Sequence, residues 1–339
     1  TSAGNGNYSS GSKCVTHTIT KGTPSVTLTD KSANYTGSNI NANEATAKNP
    51  NGNAVTLSYT YKYYTNNTCT TETTDHKNVG TYYAKATSTA TDNLNSASSG
   101  CAKITISAVA ATCPTLTAYT GTYDGSAHSI EVSGGSGGTI QYRTSTTGSW
   151  STTKPTITNV SDSPMTTYVQ VAGDSNHTTK DCGSKTVTIS KANQPMTVTT
   201  PQTWSTSFST SSQTKTITAA ASNQGTVTYS ISSQKNSGGT AVTNFSLSGT
   251  TLTAAANTPV GTYTVVITAS AAGNGNYNSG TKDITVNVTI SKVDATCPTL
   301  TAYSGTYDGS AHSITVSGGS GGTVQYRTST TGSWSTTKP

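Results

Sequence analysis

The chain has 339 residues, a formal charge of +6, and only 9% charged and 31% apolar residues. That charge is too small for a chain held open by self-repulsion, and the 19 Lys and Arg form no basic run of the kind a nucleic-acid partner needs. No apolar run is long enough to read as a membrane-spanning helix.

Thr and Ser make up roughly a third of the residues, and Thr, being β-branched, suits a pleated strand. The aromatic set is 18 Tyr, 3 Trp and 2 Phe. A tyrosine offers an apolar ring and a wet hydroxyl, which fits thin sandwiches with little deep interior. No segment shows helical spacing of apolar residues. The fold class read from these signals is all-β.

In chain order, residues 1–20 read as the closing strand of a truncated domain, because SAGNGNYSSGSK (2–13) and HTITKG (17–22) reappear as AAGNGNYNSGTK (271–282) and NVTISKV (287–293). Residues 1–20 also lack the charged start and apolar stretch of a signal peptide, and the natural product is expected to extend beyond both ends. Residues 21–108 read as a second domain, closed by KITISA (103–108), and 109–192 as a third, closed by TVTISKA (186–192). Residues 193–292 form a fourth; its last strand alternates Ile284, Val286, Val288 and Ile290 toward one face. Residues 293–339 are the first half of a fifth domain. Residues 295–339 copy 111–155 with three changes, Thr120/Ser304, Glu131/Thr315 and Ile140/Val324, at an offset of 184.

VGTYYAKA (79–86), MTTYVQVAG (165–173) and VGTYTVVITAS (260–270) each open a strand with a Tyr after a turn. Each Tyr is either an ordinary strand residue or similar to the corner Tyr of immunoglobulin-like sandwiches, whose hydroxyl ties a turn to the strand. The linkers, around Lys21, Val109, Lys191 and Lys292, are a few residues long, so the sandwiches are expected to stack end to end as an elongated rod.

YDGSAHSIEVSGG with TTYVQVAGDSNHTTKDCGSKTVTISKA resembles the MBG-type immunoglobulin-like repeats of bacterial surface proteins. Residues 34–108 look like a diverged member, and residues 245–280 are similar to the cadherin-like or putative-Ig repeats of the same kinds of protein. The resemblance implies a secreted or surface-attached bacterial array, used in adhesion or as a stalk. Cadherin-type calcium sites do not carry over, since TDN (91–93) and GDSN (173–176) are isolated pieces of what such sites need.

The six cysteines lack the spacing of a zinc site. Cys14, Cys101 and Cys182 precede closing strands, while Cys113 and Cys297 stand at domain starts. The reading pairs Cys113 with Cys182 and Cys69 with Cys101; Cys14 and Cys297 then pair outside the chain or between copies. The alternative is buried free thiols. Bridges would place the chain in an oxidising, extracellular compartment.

Catalysis is not expected. Asp124, Ser126 and His128, repeated at Asp308, Ser310 and His312, lie in one turn, whereas a triad draws its partners from separate elements. No cofactor or metal is expected either. An isopeptide staple in 193–292 lacks a partner set: Asp283 and Asn287 alternate outward, and Lys215 is expected to point inward beside Ile217. Seven Asn-x-Ser/Thr sequons and many strand hydroxyls offer glycan attachment points, or simply reflect β-propensity.

The expected function is that of a structural stalk or fibre segment of a bacterial extracellular repeat protein, with neighbouring copies or repeats as partners. The alternative is an adhesin gripping glycans through an aromatic platform. Trp150 and its copy Trp334 are the leading contacts, with Trp204 and the YKYY cluster (61–64) also considered.

Overall fold

The computed structural model describes residues 1–222 and 224–339. Two units emerge. The first comprises Thr1–Thr120, Ala127–Thr158 and Asp162–Thr188; the second comprises Gly121–Ser126, Asn159–Ser161 and Ile189–Pro339. Among the described residues, the regular elements are strands, apart from one short 3-10 turn at Val160–Asp162. The architecture is immunoglobulin-like: paired β-sheets face each other across a thin apolar layer.

In the first unit, one five-stranded sheet runs in the order Lys31–Asn34, Ala102–Ser107, Gly80–Ser88, Tyr59–Tyr64, Glu72–Thr73. It is opposed by Ser25–Thr27, Thr46–Lys48 and Ala54–Val55. The early strand Lys31–Asn34 pairs parallel with the closing strand, Lys31 opposite Ile104 and Asn34 opposite Ser107. Between the layers lie Ile40, Ala84, Ile104 and Ile106, with Leu28, Tyr35, Tyr63 and Tyr82 against them. With alanine at so many inner positions, tyrosines finish the job: the Tyr61 hydroxyl accepts from Ala45 N at 2.9 Å, and the Tyr63 hydroxyl from Ala42 N at 3.3 Å. Cys69 is bonded to Cys101.

The following sandwich repeats the plan. A sheet of Tyr119–Thr122, Lys180–Ser190, Met165–Gly173 and Gly138–Arg143 faces the pair Thr115–Thr117 and Glu131–Ser133. Ile130, Val169, Val171 and Val187 are fully buried. Cys113 is bonded to Cys182, with Cα atoms 5.4 Å apart. In the chain-entropy account, closing that loop is worth about 4 kcal/mol.

The second unit holds the largest core. The sheet Gln202–Ser207, Gly280–Ser291, Gly261–Ala271, Val227–Asn236 faces Gln213–Thr216, Thr251–Ala254 and Phe245–Ser248. Strict alternation puts Ile284, Val286, Val288 and Ile290 inward, each at most 3% exposed, against Val265, Ile267 and Leu252. Trp204, Phe245 and Tyr263 pack edge to face within this core. Residues 293–339 keep only the pair Thr299–Thr301 with Thr315–Ser317, in the register of Thr115–Thr117 with Glu131–Ser133. Leu300 is 62% exposed there, whereas its counterpart Leu116 is half-buried.

Two expectations need correction. The strand read over 17–20 does not form: Val15 and Ile19 are more than 80% exposed, because a lone strand has no neighbour to complete its ladder. Lys215 stands opposite Leu252, on the strand face that carries Ile217 inward, as expected, and the residue itself is exposed. The three strand-opening tyrosines are not equivalent. Tyr82 and Tyr263 face Ile104 and Val288, but Met165 takes that place opposite Val187, and Tyr168 lies three residues on. Tyr263 ties its turn, donating its hydroxyl to the Pro259 carbonyl at 2.6 Å.

Candidate functional site

The residues read as possible chemistry stay in turns. Asp308 accepts from Ser310 N at 2.9 Å and lies 2.7 Å from His312 Nε2, while the Tyr303 ring stacks on His312 at 4.1 Å. The hydrogen bond from His312 holds the Asp308 carboxyl below its ordinary value. In the first copy Tyr119 stacks on His128 at 4.2 Å, with its hydroxyl 3.3 Å from Nε2. These are ring-and-turn locks. Among the described residues there is no cluster of three metal-ligating side chains, and no helix is long and apolar enough to cross a membrane.

Trp150 is half-buried, with the Arg143 guanidinium 4.3 Å above its ring; the same guanidinium lies 5.8 Å from the centre of the Tyr168 ring. Trp334 repeats the pairing with Arg327 at 4.5 Å and is 57% exposed. The same hairpin carries both: Tyr142 bonds Ser151, and Tyr326 bonds Ser335, through two backbone hydrogen bonds each. One indole face in each copy is therefore taken by arginine. Trp204 is a core residue, 7% exposed. Tyr61 and Tyr63 of the YKYY cluster hold loops through their hydroxyls. Cys14 and Cys297 are exposed free thiols.

A different constellation recurs, and sequence reasoning missed its role. It is built on a five-residue turn, Gly-Asn/Asp-x-Asn-Tyr/His, at Gly4–Tyr8, Gly173–His177 and Gly273–Tyr277. A Cβ on Gly4, Gly173 or Gly273 would collide with the carbonyl of Tyr8, His177 or Tyr277, so only glycine lets the turn close. The next side chain caps the turn. The Asn274 carbonyl accepts from Asn276 N at 2.8 Å and Tyr277 N at 2.9 Å, and Asp174 accepts from Asn176 N at 2.8 Å.

So capped, the turn presents an asparagine and a ring. In the first unit, Asn176 Oδ1 accepts from Val79 N at 2.8 Å, and its Nδ2 donates to Asn78 Oδ1 at 3.1 Å. Beside it His177 meets the Tyr35 ring edge-on at 5.2 Å. In the second unit, Asn276 Oδ1 accepts from Val160 N at 2.9 Å, and its Nδ2 donates to Asn159 Oδ1 at 3.0 Å. Beside that, Tyr277 meets Tyr123 edge-on at 5.4 Å. Each asparagine side chain thus reads one backbone amide and one side-chain amide, and each turn's ring covers a tyrosine.

The same turns seize the linkers. Val109 N donates to Asn176 O at 3.3 Å and Ala192 N to Asn276 O at 3.0 Å. Gly22 N donates to Asn93 O at 3.1 Å in an analogous turn, Thr91–Leu94. Lys21 Nζ and Lys191 Nζ donate to the carbonyls of Thr91 and Asn274, both at 2.7 Å. The sequence signal that could have found this was the likeness of GNGNY, which read only as the run-up to a strand, to GDSNH, whose GDSN read only as an isolated piece of a calcium site.

His177 Nδ1 lies 2.7 Å from Asp174, and that hydrogen bond keeps the Asp174 carboxyl below its ordinary value. The second joint puts Asn274 and Tyr277 in those places.

No family model matches the chain, and no curated protein matches it. Solved structures do align. The first three extracellular cadherin domains of Drosophila N-cadherin share 13% identity over 77% of this chain and 98% of that one, at a TM-score of 0.23. The four N-terminal Ig domains of Dscam1 isoform 6.9 share 11% over 83% and 84%, at 0.20. Three N-terminal domains of the bacteriophage RB49 outer capsid protein Hoc share 13% over 81% and 96%, at 0.22. At such scores these alignments carry no argument about function, and the fold rests on the sheets themselves.

Proposed function

We propose that this chain is a structural segment of a bacterial extracellular repeat protein, a stalk or fibre made of the five segments 1–20, 21–108, 109–192, 193–292 and 293–339 in tandem. The observation that carries this reading is the repetition at the linkers. Gly22, Val109 and Ala192 are each gripped by a turn of the sandwich that follows them, and at two of these points an asparagine and a ring also hold the sandwich before. A linker hydrogen-bonded in this way has lost the freedom that makes tandem domains flex. Two disulfides suit an oxidising, extracellular setting. The work is mechanical, to project or to space whatever the array carries, and needs no cofactor.

Scattering and electron microscopy of the purified chain test this. The expected particle is an elongated rod; a rounded particle would end the reading. An adhesin gripping glycans is the second reading, favoured by the exposure of Trp334. It requires glycan binding that Trp150→Ala or Trp334→Ala weakens.

A further inference from the structure

The turn at Gly4–Tyr8 is the same device. Residues Ala3–Tyr8 and Ala272–Tyr277 are identical, AGNGNY. Their backbones close alike: Asn5 N donates to Tyr8 O at 2.9 Å, and Asn274 N to Tyr277 O at 3.0 Å. Their caps are alike too, since Asn5 Oδ1 accepts from Asn7 N at 3.0 Å and Tyr8 N at 3.1 Å. The turn therefore forms without the sandwich that surrounds its twin. Its two presenting residues differ from the twin in exposure only. Asn276 and Tyr277 are half-buried against Asn159, Val160 and Tyr123, while Asn7 is exposed and Tyr8 is 76% exposed.

We propose that Ala3–Tyr8 is a docking element whose partner is a sandwich tip of the 109–192 kind. Such a tip offers a tyrosine ring in a Tyr-Asp-Gly turn and, beside it, an Asn-Val pair. Asn7 Oδ1 takes the valine amide, Asn7 Nδ2 donates to the asparagine carbonyl, and the Tyr8 ring covers the tyrosine. The choice of tip follows from the identity of the hexapeptide. The turn that holds the 21–108 tip is GDSNH, with a carboxylate and an imidazole; the turn that holds the 109–192 tip is AGNGNY, the sequence at 3–8. The inference rests on the joint reading above, and it adds which tip this turn recognises.

The test uses the full chain. Asn276→Ala with Tyr277→Ala empties the chain's own 109–192 tip and leaves residues 3–8 intact. Isotope-labelled double variant is then titrated with the unlabelled double variant, because magnetic-resonance shifts report contacts as weak as about millimolar Kd. The expected result is a concentration-dependent shift of Tyr8 and of Tyr123 and Val160, absent in the wild type and abolished by adding Asn7→Ala and Tyr8→Ala. No shift, a shift that survives those two substitutions, or a shift of Tyr8 against another surface such as the exposed Tyr307, would each overturn the proposal. If the double variant loses its sandwich signals, Tyr277→Ala alone serves. The joint reading is tested separately in the same sample. If the 109–192 and 193–292 sandwiches tumble no more independently in the double variant than in the wild type, the joint itself fails, whatever Tyr8 does.

Discussion

At the scale of single residues, the joints depend on atoms that are missing. Gly173 and Gly273 have no room for a methyl group, because each turn's own carbonyl occupies that place. Gly273→Ala is expected to cost about 1–3 kcal/mol locally, read as faster amide exchange at Asn276 and Tyr277 with the Leu252 core unchanged. His76 is a second residue whose surroundings decide its chemistry. It stacks on Tyr63 at 3.8 Å and is 4% exposed, and burial pushes its pKa below the ordinary imidazole value. The unfolded chain then takes up a proton that the folded one refuses. Stability contributed by neutral His76 is full above about pH 6.5 and falls as the pH drops through that value. Thermal melts of the wild type should therefore lose midpoint for the 21–108 sandwich between neutral and mildly acidic pH. His76→Gln should flatten that slope, and an equal slope in the variant would remove His76 as the cause.

At the scale of elements, stability comes from different sources in different sandwiches. The 193–292 core is large enough to stand on packing: Leu252 is fully buried among Ile, Val and aromatic side chains, and Leu252→Ala should cost about 2–5 kcal/mol. The 109–192 sandwich leans on its bridge. Cys113→Ser with Cys182→Ser should lower its stability by about 4 kcal/mol, measured by denaturant unfolding, and leave the 193–292 transition in place. The strands themselves were legible, because alternation such as Ile284, Val286, Val288, Ile290 has one physical meaning when one face of a sheet is buried. The register was less so. Nothing in MTTYVQVAG announces that Met165, not Tyr168, fills the place of Tyr82. The joints were legible as repeated strings and illegible as joints. Asn176 and Asn276 act on residues about a hundred positions away, and no local pattern states that distance.

At the scale of the whole molecule, the proposed stalk depends on the turns that hold the linkers. The joint holding Val109 carries an ionisable His–Asp pair and the one holding Ala192 does not, so the two are chemically distinct although geometrically alike. The most direct measurement is a pulsed dipolar distance between spin labels at the exposed positions Thr60 and Glu131, in the 21–108 and 109–192 sandwiches, with Cys14 and Cys297 replaced by serine. One narrow distance distribution is expected, and it broadens when Asn176→Ala and His177→Ala remove the clip. A distribution already broad in the intact joint, or one unmoved by those substitutions, would contradict that expectation.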